Sequence, residues 1–163
     1  MNLENGSKYS GRQLSSTGSF NLVMKIDNLN LDENIMCGTL NIYKSNSKII
    51  QISTYFEARV IGSEMATKLK DLESDGVNWE KFPEFSKGGD ECLYFRIKEL
   101  FILPNMNLEQ GEASIDGFYY CCYYKNLDCF MGRYFYKCGE KNMSQQILLE
   151  RQDEGISGSA CII

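Results

Sequence analysis

Short alternating runs separated by turn residues dominate this chain, and that rhythm restricts it to antiparallel β architecture. Phe20, Leu22, Met24 and Ile26 alternate with Asn21, Val23 and Lys25, the period of a strand with one core face. Asp27 to Asn34 reads as a polar turn region, and Met36 to Tyr43 as a second run with Leu40 and Ile42 on one side. After a turn at Ser45 to Lys48, the β-branched and aromatic stretch Ile49 to Ile61 reads as one bent strand or two short ones. Further strands are expected over Leu93 to Leu103, Ser114 to Tyr124, Cys129 to Lys137 and around Gln145 to Leu149. Glu64 to Phe85 breaks the rhythm, and Met65, Leu69, Leu72, Val77, Trp79 and Phe82 with charges between them predict short helical or irregular segments ending near Pro83. About eight strands at regular spacing predict an antiparallel barrel or sandwich. A closed barrel leaves no strand edge exposed and offers a ligand site at its mouth. The 163 residues suit one core, divided into an irregular lead-in over 1–18, the barrel over 19–150 and a tail over 151–163.

Composition removes several function classes. The chain has no histidine, so a Ser-His-Asp triad, a Cys-His dyad and imidazole metal ligation are all excluded. Its seven cysteines, Cys37, Cys92, Cys121, Cys122, Cys129, Cys138 and Cys161, form no C-x-x-C pair, and their odd number suits reduced thiols packed as small apolar groups. No metal or other cofactor is expected. Seventeen Lys and Arg against twenty-two Asp and Glu give a net charge of −5, the wrong sign for a nucleic-acid footprint or a polybasic membrane surface. The N-terminal residues hold no apolar signal core, no stretch is long and apolar enough to span a bilayer, and Cys161 stands third from the end rather than in the fourth position of a prenylation box. These features lead to an expected cytoplasmic location, with the nucleus as a second compartment.

One residue breaks the pattern of its strand. Phe95, Ile97, Glu99, Phe101 and Leu103 share one face of the run Leu93 to Leu103, and all but Glu99 are apolar. An inward-facing Glu99 is a carboxylate in an apolar wall, which is costly unless it meets a cation or several donors. Two explanations stand at even weight: an internal ion pair or a bulge that turns Glu99 to water, or a carboxylate kept for the ammonium of a ligand. The aromatic run Phe118-Tyr119-Tyr120, Tyr123-Tyr124 and Tyr134-Phe135-Tyr136 supplies mostly wall residues, and a few tyrosines reaching inward suit peptide binding.

The ordered set Tyr9-Ser10-Gly11-Arg12-Gln13, Cys37-Gly38-Thr39-Leu40-Asn41-Ile42, Tyr55-Phe56-Glu57-Ala58, Trp79-Glu80-Lys81-Phe82, Lys98-Glu99-Leu100-Phe101-Ile102-Leu103-Pro104, Ala113 to Tyr120 and Gly132-Arg133-Tyr134-Phe135-Tyr136 resembles the vacuolar import and degradation family, the substrate receptors of the GID/CTLH ubiquitin ligase. The resemblance runs from about Tyr9 to Leu149, and Lys-Glu-x-Phe-x-x-Pro followed by Gly-Phe-Tyr-Tyr is its most specific part. It implies a mostly β fold, a single lipocalin-like antiparallel barrel with short inserted helical segments. The mouth of that barrel binds the N-terminus of a protein destined for proteasomal degradation, with proline preferred as first residue. On this resemblance Glu99 grips the free amine with Tyr119 as its partner, Gln13, Ser114 and Tyr134 take polar positions around the peptide, and Leu22, Leu40, Ile42, Ile52, Tyr55 and Ile115 form the apolar wall. The implied partners are proteins with N-terminal proline and the scaffold subunits of the ligase, with no catalytic step in the receptor itself. Ser45 stands where the family has an apolar loop residue, and the tail 151–163 lacks the aromatic, charged ending with which resembling proteins dock on their scaffold.

The chemistry is coherent. An N-terminal proline is a secondary ammonium with one charge and two N–H donors, and a carboxylate with a tyrosine hydroxyl satisfies both. An internal proline has neither, so it leaves Glu99 unpaired. Two other readings remain open from the residues: a lipocalin-like carrier of small molecules with a wholly apolar cavity, and an enzyme working through Glu99 and Tyr119.

Overall fold

The strands close on themselves. In a computed structural model that describes residues 3–15, 18–44, 50–60, 92–104, 117–135 and 144–152, every regular element is a strand. The order is β1 (Lys8–Ser15), β2 (Gly18–Asn30), β3 (Ile35–Lys44), β4 (Ile50–Val60), β5 (Cys92–Ile102), β6 (Phe118–Tyr124), β7 (Cys129–Phe135) and β8 (Ser144–Arg151). Each strand pairs antiparallel with the next and β8 pairs with β1, which makes a closed eight-strand barrel, as expected. The helical segments expected between Glu64 and Phe85, as well as Ser45, Cys138, Cys161 and the tail beyond 152, are outside the described residues.

Period-2 alternation builds the core. Leu22, Met24 and Ile26 of β2, Met36, Leu40 and Ile42 of β3, Phe95 and Ile97 of β5, and Ile147 and Leu149 of β8 are buried on the inner face. Five described cysteines are free thiols; Cys121 is buried among these side chains, and Cys122 and Cys129 are buried as well. Tyr94, Tyr120 and Cys122 belong by alternation to the outer face and are nonetheless buried, so that flank of β5 and β6 is not a free surface. There the Arg96 guanidinium sits 4.1 Å above the Phe118 ring.

The stretch from Lys8 to Ser15 corrects the irregular lead-in expected at 1–18: it is β1, paired along its length with β2 and with most of its length on β8. Its Ser and Gly residues favour turns locally, and the strand state comes from two flanking partners that supply ladder hydrogen bonds on both sides. Gly11 makes the β1–β8 approach possible. A Cβ built there would come within 1.7 Å of the Leu148 carbonyl oxygen, a backbone atom that has no rotamer to move to. Gly11→Ala therefore has to part the seam that closes the barrel, and we expect it to lower stability by about 3 kcal/mol, read as a lower urea midpoint at unchanged slope. A midpoint equal to that of the parent would contradict the close approach.

One end of the barrel carries a polar cluster. The Tyr9 hydroxyl donates to Asp128 Oδ1 at 2.6 Å and the Tyr123 hydroxyl donates to the same oxygen at 2.5 Å. Arg151 forms an ion pair with Asp128 Oδ2 and donates from Nη2 to the Tyr9 oxygen at 2.9 Å. Asp128 holds a left-handed backbone conformation, φ 52°, at the turn between β6 and β7, where Asp is tolerated better than most residues. Beneath this cluster the Tyr9, Tyr123 and Phe130 rings pack edge to face or tilted, with Tyr9 and Phe130 centroids 5.0 Å apart. The candidate site is near the opposite end, where β1, β3, β5 and β7 finish.

Candidate functional site

β5 carries its carboxylate inward. Phe95, Ile97 and Glu99 alternate into the interior, and Glu99 is 1% exposed. The pattern stops there. Phe56 of β4 pairs with Glu99, whereas Tyr55 pairs with Phe101, so Leu100 is the extra residue of a β-bulge. The bulge corrects the single odd face expected for this strand: Phe101 turns outward and stacks on Tyr55, with centroids 5.2 Å apart and planes 20° from parallel. Leu100, Phe101 and Ile102 are all substantially exposed. Tyr55, expected in the ligand wall, is on the outer face of β4 opposite to Thr54 and Phe56, where a hydrogen bond with Cys37 and then burial push its hydroxyl up to about 12.

Around Glu99 the inner wall turns polar. Thr54 Oγ1 donates to Glu99 Oε2 at 2.6 Å, and the Tyr119 hydroxyl is hydrogen-bonded to the same carboxyl group. Tyr119 also donates to Gln13 Oε1 at 3.4 Å, and Gln13 Nε2 donates to Gln145 Oε1. The Tyr134 ring is 4.6 Å from that of Tyr119, and its hydroxyl accepts from the Gly117 N–H at 2.8 Å, which fixes both rings. Glu99, Tyr119, Gln13 and Tyr134 are thus brought together on the inner wall. Leu22, Ile42 and Ile52 form a register row across β2, β3 and β4, and Leu40 pairs with Thr54, so these four make an inner apolar wall. Ser114 and Ile115 are outside the described residues.

Sequence reasoning missed Thr54 and Gln145. Thr54 was legible, because it falls between Ile52 and Phe56 on an alternating face and is the polar exception there, as Glu99 is on β5. Gln145 had no local signal, since its position follows only from β8 pairing with β7 opposite Tyr134.

Electrostatics set the state of the carboxyl. Burial pushes Glu99 up from 4.5 to about 7, and the bonds from Thr54 and Tyr119 and the charge of Lys98 only partly oppose it. Lys98 points the other way, with its ammonium donating to the Gly117 carbonyl at 3.1 Å. Among the described residues no Lys or Arg forms an ion pair with Glu99, and no group of His, Cys, Asp or Glu is placed to hold a metal ion. What the arrangement can do is accept a cation: one carboxylate, two hydroxyls and one amide oxygen in an otherwise apolar wall.

Fold and site together define a closed antiparallel β-barrel with a buried carboxyl group and its hydroxyl partners on the inner wall near one end. The sequence matches the family described as vacuolar import and degradation protein over residues 2–152, and the chain belongs to that family. It is 26% identical over 159 residues to the mouse protein named glucose-induced degradation protein 4 homolog, covering 85% of this chain and 73% of that one. It is also 24% identical over 164 residues to the GID complex substrate-recognition subunit 4 of Schizosaccharomyces pombe, covering 82% of this chain and 84% of the relative.

Proposed function

We propose that this chain is the substrate-recognition subunit of a GID-type ubiquitin ligase, a non-catalytic receptor that binds the free N-terminus of proteins sent for degradation, with proline preferred as first residue. The names of the two relatives support the assembly. The observation that carries the ligand is Glu99, a carboxyl group 1% exposed, bonded to Thr54 and Tyr119 and without a basic partner among the described residues. A buried carboxylate in that setting is stabilised by an incoming cation, and a secondary ammonium brings one positive charge and two donors. Leu22, Leu40, Ile42 and Ile52 suit the compact pyrrolidine ring. A carrier of apolar small molecules calls for an unbroken apolar wall, which Glu99, Thr54 and Gln13 interrupt.

N-acetylation removes the charge and leaves the proline nitrogen without an N–H, with the rest of the peptide unchanged. A Pro-initiated tetrapeptide with a free amine is expected to bind about 30-fold to a few thousand-fold more tightly than its acetylated form, the range of ~2–5 kcal/mol for a charge left unpaired in a buried site. Equal affinities in titration calorimetry would remove amine recognition from this barrel.

A further inference from the structure

Thr54 and Glu99 are polar exceptions on the inner faces of adjacent strands, and they meet. Thr54 is fully buried, Glu99 is 1% exposed, and the Thr54 hydroxyl donates to Glu99 Oε2 at 2.6 Å. A threonine has one hydroxyl proton to give, and here it goes to the carboxyl group. Burial keeps bulk water from competing for that bond.

The strand register makes the meeting possible. In a regular strand Phe101 would follow Glu99 on the inner face, opposite Thr54. The bulge at Leu100 slips the pairing by one residue, so Thr54 pairs with Ile102, and the Phe101 ring leaves the interior to stack on Tyr55. The β4–β5 contact continues beyond the slip, where the Leu103 N–H donates to the Ser53 carbonyl at 2.8 Å. On its other flank Thr54 pairs with Leu40 of β3. Its backbone is therefore held from both sides, and its β-branched side chain has few χ1 choices. A short, stiff hydroxyl stands beside Glu99 where an aromatic ring would otherwise fill the wall.

Tying one carboxylate oxygen sets the plane of the group. With Oε2 held from β4, the carboxylate cannot turn about its last bond without breaking a buried hydrogen bond. Ligand amines differ in what they ask of such a group. The two N–H bonds of a pyrrolidinium point in directions fixed by the ring, whereas a primary ammonium turns about its C–N bond and follows a misplaced oxygen. A carboxylate ordered in advance therefore favours the ring amine most, because its partner has no freedom with which to correct a poor approach.

We propose that Thr54 is the positioning residue of Glu99 and a determinant of first-residue specificity: the Leu100 bulge brings its hydroxyl to the carboxylate, and the orientation it imposes favours a secondary ring ammonium over a primary one. This deepens the receptor reading and rests on it. Thr54 acts through Glu99 and has no need to touch the ligand itself.

Three substitutions and two peptides test this. Thr54→Val keeps the branched shape and removes the donor, whereas Thr54→Ser keeps the donor and removes the methyl group. Thr54→Ala, set against Thr54→Ser, isolates the hydroxyl a second time if Thr54→Val shows no cooperative thermal transition. Calorimetry compares two free-amine tetrapeptides that differ only in Pro or Ala as first residue. Thr54→Val is expected to bind the Pro peptide about tenfold more weakly than the parent does and the Ala peptide about twofold more weakly, a loss on the scale of one hydrogen bond to a charged group. Thr54→Ser is expected to keep the preference of the parent for proline. A role in packing alone would weaken both peptides equally and follow the methyl group rather than the hydroxyl, and that pattern overturns the proposal. So does a Thr54→Val protein with the affinity and preference of the parent, or a parent that binds both first residues alike. The parent protein also separates this proposal from the reading beneath it. Equal binding of free-amine and N-acetylated Pro peptides removes the receptor reading; a strong preference for the free amine that Thr54→Val leaves untouched removes only the role of Thr54.

Discussion

Glu99→Ala is expected, on the proposed receptor function, to lower affinity for a Pro-initiated peptide by about 30-fold to a few thousand-fold, the range of ~2–5 kcal/mol for removing one partner of a buried charge pair. The ammonium then meets only the Thr54 and Tyr119 hydroxyls and the Gln13 oxygen, which offer dipoles but no countercharge. Glu99→Gln falls between the two, because its carbonyl oxygen still accepts a hydrogen bond at the same place. Loss of binding here does not signal loss of fold. Glu99→Gln keeps the side-chain volume and an acceptor for the buried Thr54 hydroxyl, so a cooperative thermal transition in that variant separates loss of binding from loss of fold. Unchanged peptide affinity in a folded Glu99→Ala protein, measured by calorimetry, leaves the receptor reading without its anchor.

Asp128→Ala is expected to lower stability by about 2–4 kcal/mol. Three donors lose their common acceptor at once: the hydroxyls of Tyr9 and Tyr123, and Arg151. The cost is uneven. The Arg151 side chain is 32% exposed and finds water, whereas Tyr9 is fully buried and is left with Arg151 and Tyr123 beside its hydroxyl. The same cluster fixes a pH trend. Burial alone would lift Asp128, but the bonds from Arg151, Tyr123 and Tyr9 together outweigh it and bring the carboxyl below its ordinary value. Its contribution is therefore present above the unfolded value near ~3.9 and is lost as pH falls through the lower folded one. Denaturant titrations at pH 7 and pH 3 check this: the gap between parent and Asp128→Ala narrows at the lower pH. A gap that is small at pH 7 or does not narrow would mean the cluster is held together by packing alone. Glu99, which burial raises, tilts the pH profile of stability the other way: its contribution falls as pH rises towards about 7.

Strand existence was legible wherever one face was apolar at period 2, as in Phe20 to Ile26 and Met36 to Tyr43, because burial of that face is what holds each strand. β1 was not, since Lys8 to Ser15 is rich in turn formers and becomes a strand through neighbours that arrive from 130 residues away and more. The inward direction of Glu99 could be read from Phe95 and Ile97, but the bulge after it could not. Leu100 is as apolar as its neighbours, and the slip is set by how β4 pairs with β5. Tyr55 shows the limit of resemblance as a guide: alternation from Ile52 through Thr54 to Phe56 puts it on the other face, and that is where it is. The Tyr9, Tyr123, Asp128 and Arg151 cluster left no trace in the linear order, because its members come from β1, β6, the β6–β7 turn and β8.

The Asp128 cluster gives the barrel a direction. It clasps β1, β6, the β6–β7 turn and β8 together at one end, while Glu99 is near the other. Under the proposed reading a visiting polypeptide therefore meets Glu99 from the rim away from that clasp, and the barrel serves as a socket with a fastened base.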